Sequence, residues 1–329
     1  MKFLIVQTAF IGDVVLATPL VEKLCRFFPA AQIDFLLRKG NENLLLGHPH
    51  LRQMLVWDKK QDKYRGLWRL MHRLRAEQYD VVINCQRFAA SGLLTICSGA
   101  KETVGFAKNP FSRFFSRRLP HLFGTIEQPI HEVERNLRLI EHLTDTSLER
   151  PKLYPTAVDF AKAAQLANRT AYICLAPTSV WFTKQFPAHK WLELLRRLPM
   201  DRQIFLLGGR EDEAACEAIR AQAEQPNVVN LAGQLTFLES AALVQGAGMN
   251  YVNDSAPMHI ASAMDAPVTA VFCSTVPGFG FTPLSARNWV VQTDTPLACR
   301  PCGLHGYAVC PLGHFACAET IDAMGFPLA

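Results

Sequence analysis

Residues 249–264 read Met249-Asn250-Tyr251-Val252-Asn253-Asp254-Ser255-Ala256-Pro257-Met258-His259-Ile260-Ala261-Ser262-Ala263-Met264. The first four form a short run of strand character, and the last eight have the composition of a helix. An acid and a hydroxyl stand between them. Proline suits a first helical turn, where its missing amide would lack a partner anyway, and Asp254 or Ser255 can cap that turn. A strand running straight into a capped helix is the building unit of a parallel α/β sheet. The unit recurs around this stretch. Runs of strand character lie at 171–175, 203–207, 228–231 and 268–272, with helical stretches at 190–197, 211–223, 237–245 and 257–264 between them.

The front half repeats the pattern with its own start. Strand-like runs lie at 3–6, 33–37, 54–57 and 81–84, with helical candidates at 14–28 and 64–77 and a closing helix at 132–143. Pro151 and Pro155 interrupt the series within 145–168, and a fresh strand begins at residue 171. The expectation is two Rossmann-like domains, 1–155 and 156–329. A length of 329 residues suits two cores of ordinary size. With 49% hydrophobic and 19% charged residues the chain is globular. A net charge of +5 is too mild to argue for nucleic acid, and it suits anionic substrates or an anionic membrane surface. The apolar run at 3–6 stops at Gln7 and Thr8, too short for a signal peptide, and no run reaches the ~20 residues of a membrane span. A soluble cytoplasmic protein is expected.

Ligands bind at the carboxyl ends of strands in such sheets, so the turns there carry the candidates. After the first strand come Gly12 and Asp13, with Gly12 allowing close backbone approach or positive φ. Asp13 reads either as a general base or as an ordinary helix N-cap. The turn lacks Gly-x-Gly-x-x-Gly, which argues against a dinucleotide oxidoreductase. After the strand at 171–175, Thr178 and Ser179 offer hydroxyls and Lys184 a compact cation to a diphosphate, or all three form a solvated loop. After the strand at 203–207, Glu211 or Asp212 can accept hydrogen bonds from a ribose, or simply occupy a first helical turn. At Asp254-Ser255-Ala256, the helix amides and dipole can hold an anion with His259 nearby, or the segment is a plain capped helix.

Together, residues 2–19 (with Gly12-Asp13-Val14 and Thr18-Pro19), 178–191 and 253–275 resemble glycosyltransferase family 9, the heptosyltransferases of lipopolysaccharide core assembly. Ala256 and Cys273 stand where the family usually has glycine, which bears on the space beside the donor. The resemblance implies a GT-B fold, two Rossmann-like domains facing each other across a cleft. It also implies an inverting transfer of heptose from ADP-heptose to a glycolipid acceptor, with no metal in the chemical step. By position, Asp13 would be the base, and Thr178, Ser179 and Lys184 would hold the diphosphate. Asp212 or Glu211 would hold the ribose, with Asp254, Ser255, Ala256 and His259 lining the sugar-diphosphate site. Alternatives keep the fold and change the sugar or acceptor to O-antigen, capsule or protein glycan, or keep nucleotide-sugar binding without turnover.

Two segments stand apart. Residues 108–118 mix Lys108, Arg113, Arg117 and Arg118 with phenylalanines. They read as an acceptor-side surface, together with Gly12, peripheral on the inner membrane, or as a solvated loop. Cys299, Cys302, Cys310 and Cys317 crowd a Pro- and Gly-containing stretch. They read as a structural tetrathiolate site for zinc or iron, with His305 and His314 as spare ligands, or as free thiols or a labile disulfide.

Overall fold

The computed structural model describes residues 1–59, 63–125 and 127–328. The chain forms two compact units, Met1–Phe123 with Ile130–Tyr154, and Gly124–Pro129 with Pro155–Ala329. The first unit holds β1 (Lys2–Val6), β2 (Gln32–Arg38), β3 (Gln53–Trp57), β4 (Val81–Asn84), β5 (Glu102–Phe106) and β6 (Arg117–Leu119). Its helices are α1 (Ile11–Val15), α2 (Thr18–Phe27), α3 (Lys63–Glu77), α4 (Ala89–Cys97) and α5 (Glu132–Arg138). The second unit holds β7 (Tyr172–Ala176), β8 (Gln203–Leu206), β9 (Val228–Asn230), β10 (Asn250–Asn253), β11 (Val268–Phe272) and β12 (Asn288–Gln292). Its helices are α6 (Ala157–Ala167), α7 (Ala188–Leu195), α8 (Glu213–Ala223), α9 (Phe237–Gly246), α10 (Ala256–Ala263) and α11 (Ala316–Glu319).

Both sheets are wholly parallel, ordered β3-β2-β1-β4-β5-β6 and β12-β11-β10-β7-β8-β9. Counted from the first strand of each unit, both orders are 3-2-1-4-5-6, the doubly wound Rossmann order. The apolar runs cause this. Phe3, Leu4, Ile5 and Val6 are all completely buried, as are Ile173 and Leu175, and strands covered on both faces need continuous rather than alternating hydrophobicity. The winding reverses between the first and fourth strands of each sheet. That switch point opens a crevice beyond the carboxyl ends of β1 and β4, and likewise beyond β7 and β10.

The departures from expectation have local causes. The helix expected over 14–28 is two helices, because Pro19 cannot donate a hydrogen bond and sits in the first turn of α2. The expected helix 132–143 closes earlier as α5. Within the stretch read as a break, Thr156 and Asp159 form a reciprocal capping box that starts α6. In the second unit Trp191 on α7 is fully buried, edge-on to Phe186 at 5.0 Å between ring centroids. Phe326 packs on Phe186 at 5.6 Å, so the C-terminal segment folds back over this core. Among the described residues no helix is long and apolar enough to cross a membrane.

Candidate active site

At the first switch point the chain leaves β1 and turns through residues 7–10 into α1. Asp13 is half-exposed at the third position of that helix, and its Oδ2 accepts the Phe10 amide at 3.0 Å. It is thus not the N-cap residue itself but reaches back to the amide at the cap. Gly12 is helical and owes its place to no positive φ. The turn is pinned from neighbouring strand ends. Asn41 donates to Ala9 O at 3.1 Å, and Lys59 Nζ donates to Thr8 O and Oγ1 at 2.8 and 2.9 Å. Burial and the nearby Arg38 lower the Lys59 pKa. The Asp13 charge reaches two buried groups. Burial, Glu132 and Asp13 raise the Cys85 thiol, and burial together with Asp13 raises Glu132 against the pull of Arg135.

At the second switch point the structure brings Lys184 and Asp254 together, Nζ to Oδ2 at 2.7 Å, with only 15% and 6% of their side chains exposed. The Thr275 hydroxyl donates to the same Oδ2 at 2.6 Å. Asp254 is therefore engaged sideways and does not cap α10. Ser255 occupies the N-cap position in extended conformation without a side-chain cap, its Oγ 3.4 Å from Asn253 O. Of the first three residues of α10, Pro257 has no N–H and the Met258 amide donates to Ser255 O at 3.1 Å, which leaves the Ala256 amide to receive an anion at the positive end of the helix. His259 lies in that first turn, buried, with Phe281 6.4 Å away between rings.

Asn253, wholly buried, ties the two loops of this site. Its amide donates to Pro177 O at 2.8 Å and Thr178 O at 3.3 Å, and its Oδ1 accepts the Phe186 amide at 2.9 Å. Thr178 and Ser179 are half-buried, and neither hydroxyl bonds another described residue. After β8, Gly208 and Gly209 make room for two carboxylates: a Cβ on Gly208 would stand 2.7 Å from Asp212 Cβ, and one on Gly209 2.8 Å from Glu211 Oε2. Asp212 is committed to the Gly209 amide at 2.8 Å, whereas Glu211 is exposed.

The basic stretch splits. Lys108, Arg113 and Arg118 are exposed, and Arg113 stacks over the exposed Phe114 at 4.6 Å. Arg117 instead pairs with Glu102 at 2.7 Å. Together with Arg118 it lies on the edge strand β6, where charge blocks further strand pairing. The four C-terminal cysteines, with Thr183, Tyr307 and His314, line one cavity of about 310 Å³. Cys310 differs from the others. Burial raises its pKa, but the backbone amides of Phe315, Leu312, Gly313 and His314 outweigh this and hold it below the ordinary thiol value. Burial pushes Cys317 up to about 11. Among the described residues no three His, Cys, Asp or Glu side chains converge closely enough to hold an ion.

Asn253, Thr275, Lys59 and Asn41 were not singled out from sequence. Asn253 and Lys59 lie at strand carboxyl ends, a position that could have flagged them.

A Rossmann sheet in each half, wound in the same order and with polar groups gathered at both switch points, is the GT-B architecture of glycosyltransferases. The E. coli ADP-heptose lipopolysaccharide heptosyltransferase II structure superposes with a TM-score of 0.77 at 21% identity, covering 93% of this chain and 92% of that one. E. coli heptosyltransferase WaaC with ADP-2-deoxy-2-fluoro heptose superposes with a TM-score of 0.71 at 19% identity, covering 89% and 93%. Lipopolysaccharide heptosyltransferase 1 of Pseudomonas aeruginosa is 28% identical over 319 residues, 92% of this chain and 86% of its own length. The model of glycosyltransferase family 9 (heptosyltransferase) matches residues 67–304, and the chain belongs to that family. It is a glycosyltransferase.

Proposed function

We propose that the chain moves a heptose from ADP-heptose onto an inner-core sugar of lipopolysaccharide, with inversion at the anomeric carbon. The observation that carries the reading is the Lys184–Asp254 pair beside the N-terminus of α10, where the Ala256 amide has no side-chain cap. An ammonium has three donors, and Asp254 takes one, leaving two for a diphosphate. Asp13 takes the proton of the acceptor hydroxyl, whose oxygen attacks the anomeric carbon from the face opposite the diphosphate. The carbon–oxygen bond to the diphosphate breaks, and its growing negative charge is met by Lys184, the Ala256 amide at the start of α10 and the hydroxyls of Thr178 and Ser179. Glu211 is the better ribose partner, because Asp212 is already bonded to Gly209. Ser255, Ala256 and His259 line the sugar side. The test is transfer, followed by mass spectrometry, from ADP-heptose, ADP-glucose and UDP-glucose to heptose-free lipopolysaccharide. Heptose transfer is expected from ADP-heptose alone. Turnover with another donor only, or nucleotide binding without any product, overturns the reading.

Two finer proposals accompany it. The enzyme works in the cytoplasm, peripheral on the inner face of the inner membrane, with Lys108, Arg113, Arg118 and Phe114 toward the lipid. Replacing the three cations by Glu is expected to weaken binding to anionic vesicles, and unchanged binding removes the surface from consideration. The four cysteines hold a structural zinc or iron. Their shared cavity and the amides turned onto Cys310 support this, although the thiols do not converge in the structure. Metal analysis of freshly purified protein should find about one equivalent per chain, the content of a single tetrathiolate site. Its absence leaves free thiols.

A further inference from the structure

Lys184 and Asp254 lie on different loops, after β7 and β10, and a third piece of chain sets their meeting. That piece is the turn Cys273-Ser274-Thr275 at the end of β11. Thr275 bonds Asp254 through its hydroxyl at 2.6 Å. The Ser274 hydroxyl lies 3.0 Å from Thr183 Oγ1, and the Ser274 amide donates to Thr183 O at 3.2 Å. The residue next to Lys184 is therefore fixed to the same turn that fixes Asp254. Thr183, Ser274 and Thr275 are all buried.

Arg300 holds this turn. Its guanidinium donates to the carbonyls of Cys273 at 2.7 Å, Phe272 at 3.1 Å and Thr275 at 2.8 Å, and to Gln292 Oε1 at 2.8 Å. The backbone around it adds two ties. The Cys302 amide donates to Ser274 O at 2.8 Å, and the Tyr307 amide to Thr183 Oγ1 at 2.8 Å. None of the four acceptors of Arg300 is a carboxylate, so this cation serves main-chain and amide oxygens rather than an ion pair. A planar fork with five fixed donors can span three carbonyls of one turn, and an ammonium cannot.

We propose that Arg300 is a positioning residue for glycosyl transfer: it fixes the Cys273–Thr275 turn, and through that turn the Lys184–Asp254 pair, in the geometry that receives the donor diphosphate. The proposal rests on the donor-grip reading above. It gives the C-terminal segment a role in the donor site that does not depend on whether its thiols bind metal. Arg300 touches no substrate; it acts through Thr275 and Thr183.

The test is isothermal titration with ADP, alongside transfer kinetics, on Arg300→Met, Arg300→Lys, Lys184→Met and the Arg300→Met/Lys184→Met double variant. Arg300→Met is expected to weaken ADP binding by roughly tenfold or more, up to the roughly 150-fold that losing the charged hydrogen bond of Lys184 itself would cost, and to leave the KM for the acceptor unchanged. Arg300→Lys should not rescue it. On the Lys184→Met background the same change should cost less than about threefold, because the group it positions is gone. Should Arg300→Met fail to fold, Thr275→Val is expected to weaken ADP binding along the same path and Thr275→Ser to restore it. Wild-type ADP affinity in Arg300→Met with weak binding in Lys184→Met, or full additivity in the double variant, overturns the proposal alone. For the Thr275 pair, wild-type affinity in Thr275→Val or no recovery in Thr275→Ser does the same. Wild-type ADP affinity in Lys184→Met overturns the donor-grip reading and the proposal with it.

Discussion

Changing Lys184 to Met removes one charge and keeps most of the stem, so its effects divide into two measurable parts. The first is stability. Asp254 would be left 6% exposed with the Thr275 hydroxyl as its remaining side-chain partner. Removing one member of a buried ion pair costs about 3–5 kcal/mol, and the 15% exposure of Lys184 places this case near the lower end. The second is donor affinity. A hydrogen bond to a charged group contributes about 1.5–3 kcal/mol, which predicts roughly a 10- to 150-fold rise in the Kd for ADP. The two parts separate in the double variant Lys184→Met/Asp254→Asn. Removing both charges relieves the stranded carboxylate, so most of the lost stability should return, while ADP binding stays weaker than wild type by about tenfold or more. Thermal unfolding and isothermal titration read the two parts. A single variant that binds ADP like wild type, or a double variant no more stable than the single, refutes the reasoning.

Asp13→Asn should lower kcat by roughly 10²–10⁴-fold while ADP affinity holds, since the base acts on the acceptor hydroxyl. Equal losses in both would place Asp13 in donor binding instead. Glu77 accepts hydrogen bonds from Lys2, from Arg52 at 2.7 Å and from Gln53 at 3.0 Å, and the first two do most to hold its carboxyl down at about 2. A depressed folded pKa contributes stability above the unfolded value that is lost as pH falls toward the folded one. Glu77→Gln should therefore be less stable at pH 7, with the gap narrowing from about pH 4.5 downward; a constant gap would discount the network. Among the ten cysteines, Cys310 should react first with iodoacetamide at pH 7.5 in metal-free protein, and buried Cys85, Cys174 and Cys273 last. Peptide mapping that finds Cys310 among the slowest would discount the amide cradle.

Most strands were legible because they carry apolar runs, the edge strands β3 and β9 included. Three were not. β5 reads Glu-Thr-Val-Gly-Phe, with polar residues and a glycine breaking the run, β6 contains Arg117 and Arg118, and β12 holds Trp289-Val290-Val291 between polar ends on a largely exposed edge. An edge strand needs only one neighbour and is under selection to look polar. α6 is masked for a different reason. Pro151 and Pro155 before it have the composition of a break, although Thr156 and Asp159 at capping-box spacing mark a helix start.

Within the site, what showed in the sequence was whatever lies in the loops that leave the strands. Asp13, Lys184, Glu211 and Asp254 stand seven, eight, five and one residues past the ends of β1, β7, β8 and β10, and the sheet order makes those loops chemical. What did not show is how each group is held. Asp254 has the sequence context of a helix cap, yet its carboxylate points to Thr275 and Lys184, and only the fold brings residues 184, 254 and 275 within reach. The same holds between Asp212 and Glu211. Adjacent acids look interchangeable in the chain, but the Gly209 amide occupies one and leaves the other exposed. A reading by strand ends finds the groups that can meet a ligand, whereas the groups that aim them lie far off in sequence. Arg300 is the extreme case, since in the chain it stands between Cys299 and Pro301 within the cysteine-rich stretch, whereas its structural neighbours are the carbonyls behind the donor grip.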